Sequence, residues 1–168
     1  VDICFQCTQR SFTRKMNCFN YFHNPISNNW ERDGYVKIND MSTISDFWKT
    51  YIEIKKYIHI GMFFIMREHI FPKWDDPENK EGSFLSFKVL KDNIEQFSET
   101  LLIQMLGETL LTDENADKWN HVNGISFSPK KSFCIVKIWL KSKDLKVKEM
   151  FRLPDMYHGD IIFKDNNM

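Results

Sequence analysis

Two tryptophans of this chain stand in stretches that are otherwise polar and rich in turn-forming residues. Trp74 lies within 71–82, where two prolines, a glycine and several acids interrupt any helix or strand period. Asp75 follows it directly, and an indole face beside a carboxylate suits a flat, positively charged ligand with N–H donors on its edge. The alternative is that Trp74 packs inward as a loop anchor, because burial of an aromatic ring is a common stabiliser.

Trp30 and a basic turn complete the candidate constellation. Trp30 lies in a second turn-rich loop, 23–32, while Lys130 and Lys131 follow a proline between two strand-like segments. Two indoles, one carboxylate and two lysines would hold a planar cation that carries phosphates, provided that the three loops meet. Each tryptophan follows a predicted strand of one sheet, so the two loops are expected to converge at one edge of it.

Motifs for catalysis are absent from the sequence. It contains no glycine-rich phosphate loop, no Gly-x-Ser-x-Gly and no His-Glu-x-x-His, and its five histidines are scattered. Asp75 and Asp76 are neighbours, but adjacent residues of an extended loop tend to point apart, which disfavours an acid–base pair. We therefore expect a binding protein that is not an enzyme and that uses no cofactor.

Hydrophobic periodicity predicts an α+β fold. Strands are predicted at 16–22, 35–38, 61–68, 83–89 (as the partner of 61–68), 122–128, 132–140 and 160–164. A capping-box-like Thr43-x-x-Asp46 begins a helix that runs to about Lys56, a second helix spans 92–107, and 145–152 is a candidate short helix. Helices on one face of a mainly antiparallel sheet account for this order. Residues 1–15 form a polar arm, and 16–168 a single domain.

Both long helices carry more apolar residues than one core face needs. In the first, Ile44 and Trp48 lie about 80–100° from the core stripe, and in the second Ile103 lies almost opposite it. One interpretation is a wide core contact or isolated exposed apolar residues. The other is a docking surface for a partner helix.

Composition limits the classes of partner. The formal net charge is zero, which disfavours a protein that grips long nucleic acid by its phosphates. No apolar run reaches the roughly 20 residues that span a membrane, and a cytoplasmic location is expected. Cys4, Cys7, Cys18 and His23 would supply four zinc ligands, but their spacing fits no common zinc module, so reduced thiols are the prediction.

Five motifs in order resemble the mRNA cap-binding translation initiation factor 4E family. The segments 21–30 and 72–82 resemble its two loops with stacking tryptophans, and 44–48 is similar to its dorsal helix motif. The segment 101–108 resembles its second helix, and 123–139 its last core hairpin. The resemblance runs from about residue 17 to 164. It implies a curved antiparallel sheet of about six to eight strands, shaped like a cupped hand and backed by about three helices.

The resemblance also implies a ligand, the 7-methylguanosine cap at the 5′ end of mRNA. Trp30 and Trp74 would sandwich the methylated base, and Asp75 would accept its N1–H and exocyclic N2–H. Trp139 would lie near the N7-methyl group. Lys130 would contact the triphosphate, with Lys131 as a helper.

The dorsal helices would recruit a scaffold factor of the 4G type or a 4E-binding protein, with the chain itself a monomer. The dorsal site maps onto Ile44, Trp48, Leu102 and Ile103, which include apolar residues that periodicity already sets apart. Alternatives are a cap-binding repressor with another dorsal partner, or an interaction module without cap binding.

Several positions depart from the family pattern. Asp75 stands where the family usually has glutamate, one methylene longer. Ser83 and Phe84 replace a basic residue and a tryptophan, which puts one phosphate contact in doubt, and Asn17 and Asn20 replace first-strand tryptophans. The chain after Trp139 is short, so the loop that often covers the second nucleotide is reduced. These departures suggest a divergent member of the family.

Overall fold

The computed structural model describes residues 18–167, so the predicted arm at 1–15 lies outside the described residues. Seven strands form one sheet, and all of their pairings are antiparallel. They are β1 (Cys18–His23), β2 (Tyr35–Met41), β3 (Met62–Arg67), β4 (Ser83–Leu90), β5 (Val122–Pro129), β6 (Phe133–Leu140) and β7 (Tyr157–Asp165). The sheet is open and curved, which confirms the predicted cupped-hand architecture.

The order of strands across the sheet is β2-β1-β3-β5-β6-β4-β7. β5 and β6 form the predicted hairpin. The prediction that β4 pairs with β3 is wrong, because β3 lies between β1 and β5 while β4 lies between β6 and β7. Both strands are largely apolar, and a hydrophobic pattern does not specify which neighbour a strand takes.

Within residues 18–167, three α-helices accompany the sheet: α1 (Ile44–Ile54), the four-residue α2 (Pro77–Lys80) and α3 (Ile94–Leu106). The predicted starts and ends of α1 and α3 differ from these bounds by only a few residues. The helix predicted at 145–152 is wrong, since only Lys148–Met150 form a single 3₁₀ turn there. Asp113–His121 are also 3₁₀.

The main core lies between the sheet and the long helices. Side chains from α1 and α3 pack against alternate residues of the strands, as a sheet with one covered face requires. The Tyr51 hydroxyl of α1 donates to the Glu95 carbonyl oxygen at 2.7 Å and lies 3.1 Å from the Ser98 Oγ, so the two helices are neighbours. Asn20 donates to Asn39 at 2.7 Å on the same side of the sheet.

The opposite face of the sheet carries a second, smaller apolar cluster. Its buried members are Tyr21, Phe64, Met66, Ile70, Phe71 and Trp139. Phe64 and Met66 alternate along β3 with Phe63 and Ile65, which belong to the main core. Both faces of the central strands are therefore apolar. No helix within residues 18–167 is long and apolar enough to cross a membrane.

Candidate ligand-binding site

The loop that carries Trp74 is held by a network of buried amide side chains. Asn79 donates to the carbonyl oxygens of Phe71 (3.0 Å) and Lys73 (2.8 Å). Asn123 of β5 donates to the Asn79 Oδ1 at 2.9 Å, and Asn166 donates to the Asn79 carbonyl oxygen at 2.6 Å. Because buried polar groups cost free energy unless they are paired, this network specifies one loop conformation.

Asp76 supports the same loop. Its buried carboxylate accepts from the backbone N–H of Phe71 at 3.1 Å and from that of Glu78 at 3.0 Å, which caps α2. Gly82 then brings the chain against β6, where an added Cβ would lie 1.9 Å from the Leu140 carbonyl oxygen. The result is a rigid platform that leaves the Trp74 side chain 56% exposed, so Trp74 is not an inward-pointing anchor.

The second loop positions Trp30 against a buried histidine. The His23 ring stacks on the indole of Trp30 with centroids 4.1 Å apart and planes 8° apart. His23 Nε2 lies 2.8 Å from the Asn29 carbonyl oxygen, which ties the ring to the loop before Trp30. One face of the indole is therefore covered while the side chain remains 45% exposed, so a ligand would reach the other face.

The two loops meet, although not for the predicted reason. β1 and β3 are antiparallel neighbours, so their carboxyl ends lie at opposite ends of the sheet. The loops instead bend toward each other, and the Lys73 Nζ lies 2.9 Å from the Glu31 Oε2. The Arg32 guanidinium adds a second link, 4.4 Å from the centre of the Phe71 ring.

Trp30, Trp74 and Trp139 line one cavity of about 500 Å³ on the sheet face opposite the long helices. Trp139 is only 8% exposed, and its indole N–H donates to the Ser126 Oγ at 3.0 Å, so it forms part of the floor. The structure thus brings together the three predicted tryptophans. Their contacts with a ligand remain predictions.

Asp75 does not belong to the lining of this cavity. Its carboxylate is exposed and lies 3.5 Å from the Lys73 Nζ, in a shallow depression with Glu31, Arg32, Asp33 and Asp76. Tyr35 lines the cavity, and the negative charge of Asp75 affects its pKa. Burial, together with the carboxylates of Asp75 and Glu31, raises the pKa of Tyr35 to about 12. The predicted contact between Asp75 and a bound base requires its side chain to turn away from Lys73.

Lysines gather at one part of the cavity, but not all of them are the predicted ones. Lys130 lines it, whereas Lys131 does not. Lys137 of β6 and Lys164 of β7 also line it, and the sequence analysis missed both. The signal for Lys137 was the two-residue period of a strand, because it lies on the same face of β6 as Trp139. Lys164 gave no such signal, since the pairing of β7 was not predicted.

The predicted dorsal residues lie on the two long helices, and one of them differs from expectation. Trp48 on α1 and Ile103 on α3 are exposed, and Ile44 is half-buried. Leu102 is only 1% exposed and belongs to the main core. For Leu102 the interpretation as part of a wide core contact is therefore correct, because α3 buries residues over a broad stripe. Ile52 adds exposed apolar surface to α1.

The zinc alternative involves residues that do not share a face. Cys4 and Cys7 lie outside the described residues. Cys18 and His23 are five residues apart on β1 and so point to opposite sides of the sheet. Burial raises the pKa of the Cys18 thiol to about 12. Within residues 18–167 no cluster of three or more His, Cys, Asp or Glu side chains would hold a metal.

Comparison with known proteins finds translation initiation factors among the relatives of this chain. A family model described as Eukaryotic initiation factor 4E matches residues 10–155. The eukaryotic translation initiation factor 4E of Candida albicans is 28% identical over 126 residues, 70% of this chain and 57% of that protein. The initiation factor NCBP of rice (Oryza sativa subsp. japonica) is 26% identical over 110 residues, 64% of this chain and 46% of that protein. The chain thus spans about half the length of the curated relatives it matches.

Solved structures share the fold at low sequence identity. The complex of C. elegans eIF4E-3 with the 4E-binding protein Mextli and a cap analogue gives a TM-score of 0.66 at 18% identity, covering 76% of this chain and 72% of that one. Schistosome eIF4E complexed with m7GpppG and 4E-BP gives 0.65 at 23% identity, covering 78% and 73%. Since the family model matches most of its length, the chain belongs to the eukaryotic initiation factor 4E family.

Proposed function

We propose that this chain binds the 7-methylguanosine cap of mRNA, with the methylated base between Trp30 and Trp74. The observation that carries the proposal is the single cavity lined by two exposed indoles and floored by a third. Large aromatic side chains are ordinarily buried, so a pair of them left exposed around one cavity favours a flat ligand. Family relatives solved with cap analogues support the same ligand class.

The chemistry of the cap fits this cavity. Methylation at N7 gives the purine a positive charge, so stacking on an indole gains a cation–π contribution of about 2 kcal/mol when desolvated. Base stacking alone contributes about 1–3 kcal/mol per ring. A carboxylate that accepts two N–H bonds from guanine adds about 1.5–3 kcal/mol. Asp75 supplies that carboxylate once it turns from Lys73, and Lys130 contacts the phosphates, with Lys131 outside the cavity as a weaker helper.

We also propose that the dorsal helices bind a partner helix, that of a 4G-like scaffold or a 4E-binding protein, so that the chain promotes translation initiation. The support is the exposed apolar surface of Trp48, Ile52 and Ile103 on two neighbouring helices. It lies on the side of the sheet away from the cavity, so cap and partner are bound independently. A scaffold partner would make the chain an initiation factor, and a different partner a repressor.

Titration with 7-methyl-GTP and GTP tests the cap proposal, with tryptophan fluorescence as the readout. We expect the methylated nucleotide to quench fluorescence and to bind at least tenfold more tightly than GTP, because only it carries the cation. Trp74→Ala should abolish the preference. A control is Trp48→Ala, which removes an exposed indole from the opposite side. Equal affinity for both nucleotides, or full retention by Trp74→Ala, would contradict the proposal and favour an interaction module.

A further inference from the structure

Tyr35 lines the cavity together with the two exposed tryptophans, and aromatic neighbours hold its ring in place. It is the first residue of β2 and lies opposite His23 in the pairing with β1. Its ring is 5.5 Å from that of Phe64 and 5.0 Å from that of Phe71, both edge-on, and 4.8 Å from the His23 ring. Contacts on several sides restrict the direction in which the ring and its hydroxyl point.

The hydroxyl of Tyr35 is a donor without a partner. Within residues 18–167 it takes part in no hydrogen bond. Burial, followed by the negative charges of Asp75 and Glu31, raises the pKa of Tyr35 to about 12, so the hydroxyl is protonated at neutral pH. A partly buried hydroxyl is unfavourable until it is paired. It is therefore available to donate to an acceptor that enters the cavity.

The Asp75 carboxylate is such an acceptor, because it is the more weakly held of two carboxylates on one lysine. The Lys73 Nζ lies 2.9 Å from the Glu31 Oε2 and 3.5 Å from the Asp75 Oδ2. When Asp75 turns away, Glu31 still neutralises the lysine. Only the longer, exposed ion pair is lost, and pairs of that kind contribute little. Asp75 is thus free to leave Lys73 for a better donor.

We propose that Tyr35 is the positioning residue for Asp75 in the ligand-bound site, where its hydroxyl donates to the Asp75 carboxylate that has turned into the cavity. Because the ligand is the cap, this role rests on the proposed function. A carboxylate has about four lone-pair sites, so it accepts this O–H together with two N–H bonds from guanine. Hydrogen bonds to an ionised acceptor are about twice as strong as those between neutral groups. Tyr35 thus replaces Lys73 as the donor that holds Asp75.

This contact compensates for the short acid of the chain. The family usually has glutamate at this position, and Asp75 is one methylene shorter. A donor in the lining of the cavity draws the shorter side chain inward and determines where its oxygens lie. Only guanine profits from that placement, because adenine has no N–H at N1 or C2. The preference for guanine over adenine therefore depends on Tyr35 as well as on Asp75.

Calorimetric titration of Tyr35→Phe with 7-methyl-GTP, 7-methyl-ATP, GTP and ATP tests this role. The substitution removes the hydroxyl and keeps the ring. Tyr21→Phe is the matched control, because Tyr21 belongs to the same apolar cluster and packs edge-on to Phe71 at 5.2 Å but does not line the cavity. We expect Tyr35→Phe to lose about tenfold in affinity for 7-methyl-GTP. Its affinity for 7-methyl-ATP and its Tm should not fall, and Tyr21→Phe should match the parent protein.

A double substitution tests whether the hydroxyl acts through the carboxylate. Asp75→Ala should lose the preference for guanine over adenine. Adding Tyr35→Phe to Asp75→Ala should then lower the affinity for 7-methyl-GTP by no more than about twofold, because residues that act as one unit have non-additive effects.

Three results would overturn the role of Tyr35. Tyr35→Phe binds 7-methyl-GTP as tightly as Tyr21→Phe does; it loses affinity for 7-methyl-ATP to the same extent, which indicates a purely structural role; or its loss adds in full to that of Asp75→Ala. Failure of the cap proposal is read from a different ratio, because the parent protein then binds GTP as tightly as 7-methyl-GTP. In that case a preference for GTP over ATP that falls in Tyr35→Phe still supports the contact between Tyr35 and Asp75.

Discussion

At the scale of single residues, Asp75 is one of the positions at which this chain departs from the family pattern. Its carboxylate lies 3.5 Å from the Lys73 Nζ and outside the cavity lining, so binding of a guanine edge costs that ion pair. An exposed pair of this kind contributes at most about 1 kcal/mol. A carboxylate that accepts two N–H bonds contributes more, which favours a turn of Asp75 toward the ligand.

A longer side chain at this position should bind the base more readily. We expect Asp75→Glu to keep or raise the affinity for 7-methyl-GTP, because the added methylene extends the carboxylate toward the cavity. Asp75→Asn should lose about tenfold or more, since an amide accepts at only one of its two ends. Fluorescence titration measures both, with GTP as the reference ligand. Loss of binding in Asp75→Glu would mean that the pocket does not use a carboxylate in the manner of the family.

His23 is a positioning residue for Trp30. Its ring covers one indole face at 4.1 Å and is tied to Asn29. We expect His23→Ala to lower the affinity for 7-methyl-GTP several-fold, because Trp30 would then lose the support that holds its plane. His23→Phe keeps an aromatic ring in the same place and should restore most of the affinity. A histidine with no positioning role would give two variants that bind 7-methyl-GTP as the parent protein does.

At the scale of elements, α1 begins at a complete capping box. The Thr43 Oγ1 accepts from the Asp46 backbone N–H at 3.1 Å, and the Asp46 carboxylate accepts from the Thr43 backbone N–H at 3.1 Å. Hydrogen bonds, first that with Thr43, lower the pKa of Asp46 below its ordinary value of 3.8. The pKa of Asp46 is therefore lower in the folded state than in the unfolded state. This carboxylate stabilises the fold above pH 3.8, and its contribution is lost as the pH falls through the folded pKa.

Two substitutions at this cap have different pH profiles. We expect Thr43→Ala to cost about 1 kcal/mol of unfolding free energy at pH 7. Asp46→Ala should also destabilise at pH 7, but its difference from the parent protein should shrink as the pH falls below 3.8. Urea unfolding from pH 7 to pH 3 measures both, with Ser45→Ala in the same exposed turn as control. A constant difference for Asp46→Ala across this range would contradict the assigned role of its charge.

The elements that could be predicted are those that a local sequence pattern specifies. α1 and α3 show helical periodicity together with a cap or a stopping glycine, and the β5–β6 hairpin surrounds a proline turn, so all three were predicted. The pairing of β4 with β6 and β7 depends on contacts between residues far apart in sequence. No local pattern specifies such contacts. The same cause concealed Lys164, whose place in the cavity depends on β7 beside β4.

The arrangement of the residues around the tryptophans also depends on contacts that no local sequence pattern specifies. Polar surroundings and the adjacent acid marked Trp74 as unusual, and a second polar loop with a tryptophan paired it with Trp30 before the resemblance to the family supported the pair. Lys73 and Glu31 form an ion pair between their two loops, a contact that the sequence does not reveal. Asp75 was predicted to face the ligand because it adjoins Trp74. The structure instead places its carboxylate beside the same lysine.

At the scale of the whole molecule, the sheet separates two surfaces. The cavity lies on one face, and the exposed apolar residues of α1 and α3 lie beyond the other, with the main core between them. A substitution on one surface therefore has no direct path of contact to the other. We expect the two proposed binding activities to be separable by mutation, because distant sites without shared partners contribute independently.

Trp48→Ala and Trp74→Ala test this separation as a reciprocal pair. Trp48→Ala should lose at least tenfold in affinity for a peptide with the dorsal-binding helix of a 4G-type scaffold, since a central exposed indole is typical of binding hot spots. It should keep its affinity for 7-methyl-GTP within about twofold. Trp74→Ala should show the converse.

Calorimetric titration of each variant with both ligands measures these affinities, and Leu102→Ala serves as the comparison for core damage. Because Leu102 is buried, it should lower Tm substantially. Loss of both activities in Trp48→Ala without a lowered Tm would show that the two faces are coupled through the sheet.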